Sequence, residues 1–298
     1  MFNRKYSENT LSLAIFISSA AWGLYWIPLR TLEDMGIPSS WTVPFFNACP
    51  LIILLPLFIL YFKVIKGNWK ITSSAAVMIG FAFSFYSYGL LETTVIRATL
   101  LFYLSPIWST IIGVIWLKEK LTKARIISIS IGFLGLLFLL SQKHNVSQPL
   151  NIGDLFSVLS GICWAIGGST LKRYSNTVSI LSLATLLYAT TTVISIIFAL
   201  LFYSDPVLTI ENIQMGFITA IIWSIFIMLP GFIVIFKVSQ ILFPGRVGIL
   251  MMSEVLVAFI SASILLPEET MTTIQWLGAM GIVSAGIIEV IFGYKAKK

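Results

Sequence analysis

The chain has 298 residues, 58% of them hydrophobic and only 10% charged, against about 45–50% and about 25% in ordinary soluble domains. With a mean hydropathy of +0.96 it lacks the polar surface to enclose a water-soluble core of this size, so it reads as an integral membrane protein. A single histidine and two cysteines, Cys49 and Cys163, both inside apolar runs, exclude a His- or Cys-rich metal centre and a disulfide framework.

A helix needs about 20 apolar residues to cross about 30 Å of hydrocarbon. Ten such runs follow one another, at about 11–30, 40–62, 71–91, 97–117, 123–141, 152–171, 179–203, 213–237, 246–266 and 272–293. The short connections leave no room for a soluble catalytic domain. The first run follows Arg4 and Lys5, but it continues through Trp22, Tyr25 and Trp26, beyond the usual core of a cleaved signal.

The net charge of +7 does not point to nucleic acid, because the cations flank apolar runs. With the N-terminus cytoplasmic, that side carries Arg4, Lys5, Lys63, Lys66, Lys70, Lys118, Lys120, Lys123, Arg125, Lys172, Arg173, Lys237, Arg246, Lys295, Lys297 and Lys298. The other side keeps Arg30, Arg97 and Lys143. Cytoplasmic loops concentrate Lys and Arg, so the expected arrangement is both termini inside a plasma (inner) membrane.

An offset of 149 residues brings Arg97 onto Arg246, Leu101 onto Leu250, Leu117 onto Leu266, Glu119 onto Glu268 and Gly132 onto Gly281. A duplication with five helices per half inverts the second copy, a construction of secondary transporters with the solute site near midplane between the halves. The expected units are 1–148 and 149–298, joined near Gln142–Ile152.

Several motifs carry a family resemblance. They are Ala21-Trp22-Gly23, then Leu104-Ser105-Pro106-Ile107, Leu117-Lys118-Glu119-Lys120-Leu121, Gly132 and Gly135. The second half has Gly153-Asp154, Cys163-Trp164-Ala165, Ser253-Glu254-Val255, Pro267-Glu268-Glu269, Gly278, Gly281 and Gly286. The chain resembles the EamA-type transporters of the drug/metabolite transporter superfamily. That implies an all-α polytopic fold of ten transmembrane helices in two inverted repeats, moving small metabolites without ATP. The family often has Glu-Pro in helix 9; here Glu254 precedes Val255, while helix 4 keeps Pro106 and lacks the acid.

No His-Glu-x-x-His, Gly-x-Ser-x-Gly, phosphate-loop or paired-cysteine pattern occurs. The expectation is therefore no enzyme, no cofactor and no metal. Glu254 lies eight residues beyond Arg246, roughly 12 Å into helix 9 at 1.5 Å per residue. A carboxyl near midplane costs about 2.5–3.5 kcal/mol on insertion scales and faces a bundle interior or aqueous cavity. It reads either as a counter-charge or proton carrier, or as a protonated group that fixes helix packing.

Trp22, Tyr25 and Trp26 share a face if helix 1 is continuous. They offer an aromatic wall for stacking or cation–π contact, with an interfacial belt as the other reading for Trp26. Trp164 takes the matching depth in helix 6. Tyr86, Tyr103 and Ser105 add polar tips, while an interhelical hydrogen bond accounts for Asn47 as well as a ligand does. Pro106 and Pro230 with Gly231 are hinge candidates, since proline frees a backbone carbonyl. Arg97 and Arg246 read as anchors, as members of ion pairs, or as recruiters of anions.

The expected function is secondary active export of a small organic metabolite (an amine, amino acid or similar zwitterion) by alternating access. The expected partners are that solute and the lipid bilayer, not nucleic acid, with the chain acting as a monomer or homodimer. A polytopic membrane enzyme acting on lipid or prenyl substrates is the alternative. It requires clustered acids, histidines or a nucleophile at one depth, where the sequence shows one isolated glutamate.

Overall fold

The computed structural model describes residues 6–62, 67–93, 95–118, 120–139, 150–175, 177–265 and 272–292. Regular structure among them is helical and forms ten spans, with ends within about three residues of the apolar runs. The first half comprises α1 (Glu8–Trp22) with α2 (Trp26–Asp34), α3 (Ser39–Ala48) with α4 (Leu51–Tyr61), α5 (Trp69–Glu92), α6 (Val95–Phe102) with α7 (Ser105–Leu117), and α8 (Lys123–Leu139). The second half has α9 (Ile152–Arg173), α10 (Ile180–Phe202), α11 (Ile210–Ile221), a π-helical stretch Ile222–Met228 leading into α12 (Leu229–Ser239), α13 (Pro244–Met251) with α14 (Ser253–Leu265), and α15 (Thr273–Phe292). Seven continuous helical runs among the described residues are long and apolar enough to cross a bilayer. The protein is an all-α polytopic membrane protein.

Helix starts fall where a polar side chain can satisfy the first amides, which lipid cannot. Asn68 accepts from the Ile71 amide. Asn151 with Asp154 and Thr209 with Asn212 form reciprocal capping boxes at α9 and α11. Proline shapes the second span: the chain breaks at Cys49–Pro50, while Pro44 and Pro56 lie inside α3 and α4. The breaks in spans four and nine fall at Tyr103–Leu104 and at Met252, and the 149-residue register pairs Tyr103 with Met252. Pro106 follows the first of these breaks, and Pro230 stands directly after the π-helical stretch.

Packing between the halves is most extensive for α5 against α9 and for α8 against α15. Glycine permits both close crossings that matter most. A Cβ on Gly23 would stand 2.3 Å from the Glu254 carbonyl oxygen and 2.8 Å from the Ala258 nitrogen, so the break after α1 lies against the backbone of α14. A Cβ on Gly135 would stand 2.6 Å from the Gly278 carbonyl oxygen and 3.0 Å from the Ile282 nitrogen. Because backbone rather than a flexible side chain blocks that space, Gly135→Leu is expected to separate α8 from α15. Overpacking costs about 1–3 kcal/mol, read as a lower melting temperature in detergent than for Gly132→Ala, which meets the side chain of Met252.

Each face of the bundle is tied across the repeats. At the face where α1 begins, Arg246 pairs with Glu8 at 3.1 Å, and the Asn68 amide donates to the Thr177 carbonyl at 2.8 Å. At the far face the Ser40 amide donates to Asp205 at 3.2 Å, and the Asn212 amide group donates to the Gly36 carbonyl at 2.9 Å. Tyr203 donates to Glu92 there at 2.6 Å; burial first, and then that carboxylate, push the Tyr203 phenol above its ordinary range. Arg246 is thus buried in an ion pair, as one reading of the sequence has it. The side chain of Arg97, together with Glu119 and Glu268, lies outside the described residues.

Candidate functional site

Between the two halves, at the depth of the breaks in spans one, four and nine, lies a cavity. Its wall follows the internal repeat. Phe83 with Phe232, Tyr86 with Ile235, and Phe102 with Met251 all line it, and each pair is related by the 149-residue register. Trp22 and Trp164 line it as well, matched by an offset of 142 in the first helix of each half. The cavity therefore straddles the axis relating the repeats.

The aromatic contacts are dense. Phe83 and Phe232 have ring centroids 5.2 Å apart, and Trp22 lies 5.3 Å from Phe83 and 5.4 Å from Phe232. Phe83 also meets Trp164 at 6.0 Å, while Tyr25 packs beside Trp22 at 5.5 Å. The Trp22 indole N–H is buried and finds no hydrogen-bond partner among the described residues.

The one carboxyl among the described lining residues stands where the repeats differ. Position 254 is glutamate, and its register equivalent is Ser105, which is buried behind the wall where Gly161 approaches it. Glu254 faces the cavity from the first turn of α14, where the helix dipole favours an acid. The Tyr103 hydroxyl stands beside it and donates to the Met251 carbonyl at 3.2 Å, the carbonyl that the break at Met252 releases. A phenol has one proton. While Tyr103 gives it to Met251, its oxygen can only accept. Tyr86 bonds Thr99 at 3.3 Å.

Of the residues singled out from sequence, Trp22, Tyr25, Tyr86, Trp164 and Glu254 line the cavity. Tyr103 and Ser105 stand behind it, Tyr103 within reach of Glu254. Trp26 is elsewhere. The chain turns between Trp22 and Trp26, so the shared face of a continuous helix does not form. The Trp26 indole N–H instead donates to Ser261 at 3.0 Å, with Arg30 5.7 Å over its ring. Asn47 bonds its own helix at the Val43 carbonyl, 2.8 Å away, which accounts for its amide locally. Phe83, Phe102, Phe232, Ile235 and Met251 were not among the sequence candidates. The register that exposes the duplication pairs four of them among themselves, and that signal would have found them. No group of three or more His, Cys, Asp or Glu side chains able to hold a metal occurs among the described residues.

Comparison with known proteins agrees with this architecture. The profile of the EamA-like transporter family matches residues 10–141 and again 151–291. The Bacillus subtilis (strain 168) protein named "Uncharacterized transporter YyaM" is 31% identical over 141 residues, 46% of this chain and 46% of that protein. "Uncharacterized transporter YoaV" of the same organism is 22% identical over 198 residues, 65% of this chain and 68% of that protein. The match therefore spans less than half the length of the first relative and about two thirds of the second. A solved structure described as "Crystal structure of protein" has the same fold, with a TM-score of 0.75 at 12% identity over 96% of this chain and 99% of that one. EamA is a transporter family, so the membrane-enzyme alternative falls away. With two family repeats covering nearly its whole length, this chain belongs to the EamA-like transporter family.

Proposed function

We propose that the protein is a secondary active exporter of a small organic metabolite (an amine, amino acid or similar zwitterion) that binds in the central cavity while the two inverted repeats alternate its access to the two sides of a plasma membrane. The observation that carries this reading is an aromatic cavity at the junction of the repeats whose lining, among the described residues, holds one carboxyl, Glu254, and no cationic side chain. Aromatic faces attract a cation, Glu254 supplies the counter-charge, and the Trp22 N–H offers a donor to an acceptor on the same solute. Two-fold related walls give the site equivalent neighbours on either side, as alternating access requires. Pro106, Pro230 and Gly231, beside the break in span four and the π-helical stretch, are the proposed hinges.

The test is uptake and counterflow in proteoliposomes with a panel of amines, amino acids and nucleobases, with and without a pH gradient. Saturable counterflow of an amine or amino acid supports the reading; activity restricted to nucleobases removes the role given to Glu254. The proposed orientation places both termini in the cytoplasm. In a background lacking Cys49 and Cys163, a cysteine at Lys120 is expected to react with an impermeant thiol reagent only from the cytoplasmic side, and one at Ser204 only from outside. Reaction of both from one side would overturn the span count between them.

A further inference from the structure

A second, smaller cavity lies between the central one and the face where α1 begins. Its walls come from both repeats: Ser109 of α7 faces Gly168 of α9, Phe236 and Ser239 of α12, and Val247 of α13. Trp164 belongs to both cavities, and its ring lies 5.9 Å from that of Phe236. These two rings are the partition between the spaces. Ser239 donates to the Ile235 carbonyl at 2.7 Å, so its oxygen is left to accept from an N–H or ammonium, while Phe236 and Val247 offer apolar wall.

Gly168 keeps this space open. Helix packing does not require a glycine there: a Cβ on Gly168 would meet nothing within 4 Å, whereas one on the adjacent Gly167 would stand 2.4 Å from Ile79. The internal repeat calls for an equivalent space toward the far face. There the offset of 142 that pairs Trp22 with Trp164 puts Trp26 at the position of Gly168. The Trp26 indole stands at the start of α2, held by Ser261, whose own hydroxyl donates to the Ala258 carbonyl at 3.0 Å. Ala258 is the register equivalent of Ser109. The two halves thus differ at one sequence-matched position, a glycine beside a cavity in one and an anchored indole in the other.

We propose that the second cavity is a transit site through which the solute passes between the central cavity and the face where α1 begins, and that Trp26 is the stopper of the equivalent passage at the far face. The proposal rests on the central cavity being the solute site. It adds two residues that do not touch the solute there: Gly168, which leaves one passage open, and Trp26, which closes the other by a side chain anchored through one hydrogen bond.

The test reads the passages without needing the solute. In a background lacking Cys49 and Cys163, Phe83→Cys places a thiol in the central cavity, and a positively charged, membrane-impermeant methanethiosulfonate is applied from one side at a time to sealed vesicles of each orientation. The thiol is expected to react from the face where α1 begins. Adding Gly168→Trp, which restores the symmetry, is expected to abolish that reaction, while Gly168→Ala preserves it. Adding Trp26→Ala is expected to open reaction from the far face, with Ser261→Ala, which removes only the anchor, giving a partial opening. Unchanged labelling in Gly168→Trp, with the variant folded by its detergent melting curve, overturns the transit site; absence of far-face labelling in Trp26→Ala overturns the stopper. If labelling follows these expectations while Trp22 and Glu254 variants transport normally, the passages stand and the central solute site fails.

Discussion

Trp22→Ala and Trp164→Ala are each expected to weaken solute binding about thirtyfold. Aromatic contacts contribute about 0.5–1.5 kcal/mol beyond the area they bury, and a cation over the ring adds about 0.5–2 kcal/mol when desolvated. Together that is about 2 kcal/mol, or about thirtyfold in Kd. Both indoles are buried, and truncating a large buried side chain costs about 3–5 kcal/mol of stability where the gap cannot close. Trp→Phe separates the two effects, because it keeps a ring at the wall. Trp22→Phe and Trp164→Phe should melt close to the parent and recover most of the affinity. At Trp22, where the indole N–H has no partner among the described residues, Phe should leave a residual loss for solutes that carry a carboxylate and none for simple amines. The measurement is the half-saturation concentration of counterflow together with the detergent melting temperature. Unchanged half-saturation in both alanine variants would return these tryptophans to packing.

The spans were legible because bilayer thickness imposes a long apolar run on each helix, and the wall of the cavity was legible in principle because duplication writes its residues twice. Phe83 and Phe232 show how this was overlooked: in a chain with 22 phenylalanines, a matched pair looks like composition until the cavity lies between them. Trp26 failed for a different reason. Its placement followed from a continuous helix, and nothing local in Gly23–Tyr25 announces the turn; what favours it is the approach of Gly23 to the α14 backbone, a contact between residues more than two hundred positions apart. Glu254 was found by cost alone, since a carboxyl at that depth is expensive enough to be noticed without its partners. Its partner Tyr103 was named for its hydroxyl, but its bond to the freed Met251 carbonyl depends on where span nine breaks.

Glu254→Gln is expected to abolish accumulation driven by a pH gradient while preserving solute exchange. The carboxyl faces a cavity with no cation in its lining among the described residues, so under the proposed function its charge would be cancelled there either by a bound proton or by the positive group of a solute. These two occupants compete for one site, and that competition exchanges protons for solute across the membrane without further machinery. Tyr103 reports which occupant is present: when Glu254 holds a proton it can donate to the phenol oxygen, and the phenol donates to the Met251 carbonyl at the break between α13 and α14. One pH unit is worth about 1.4 kcal/mol per proton, enough for about tenfold accumulation at one-for-one exchange. Glutamine keeps the size and a hydrogen-bond donor toward Tyr103 but cannot titrate, so the variant should reach the same internal concentration with and without the gradient. Its affinity for a cationic solute should also lose its pH dependence. Tyr103→Phe is the companion variant: it leaves the carboxyl in place and removes the link to Met251, so it should retain proton-coupled accumulation at a reduced rate. Gradient-driven accumulation in Glu254→Gln equal to that of the parent would assign coupling to another group and leave Glu254 as a packing residue.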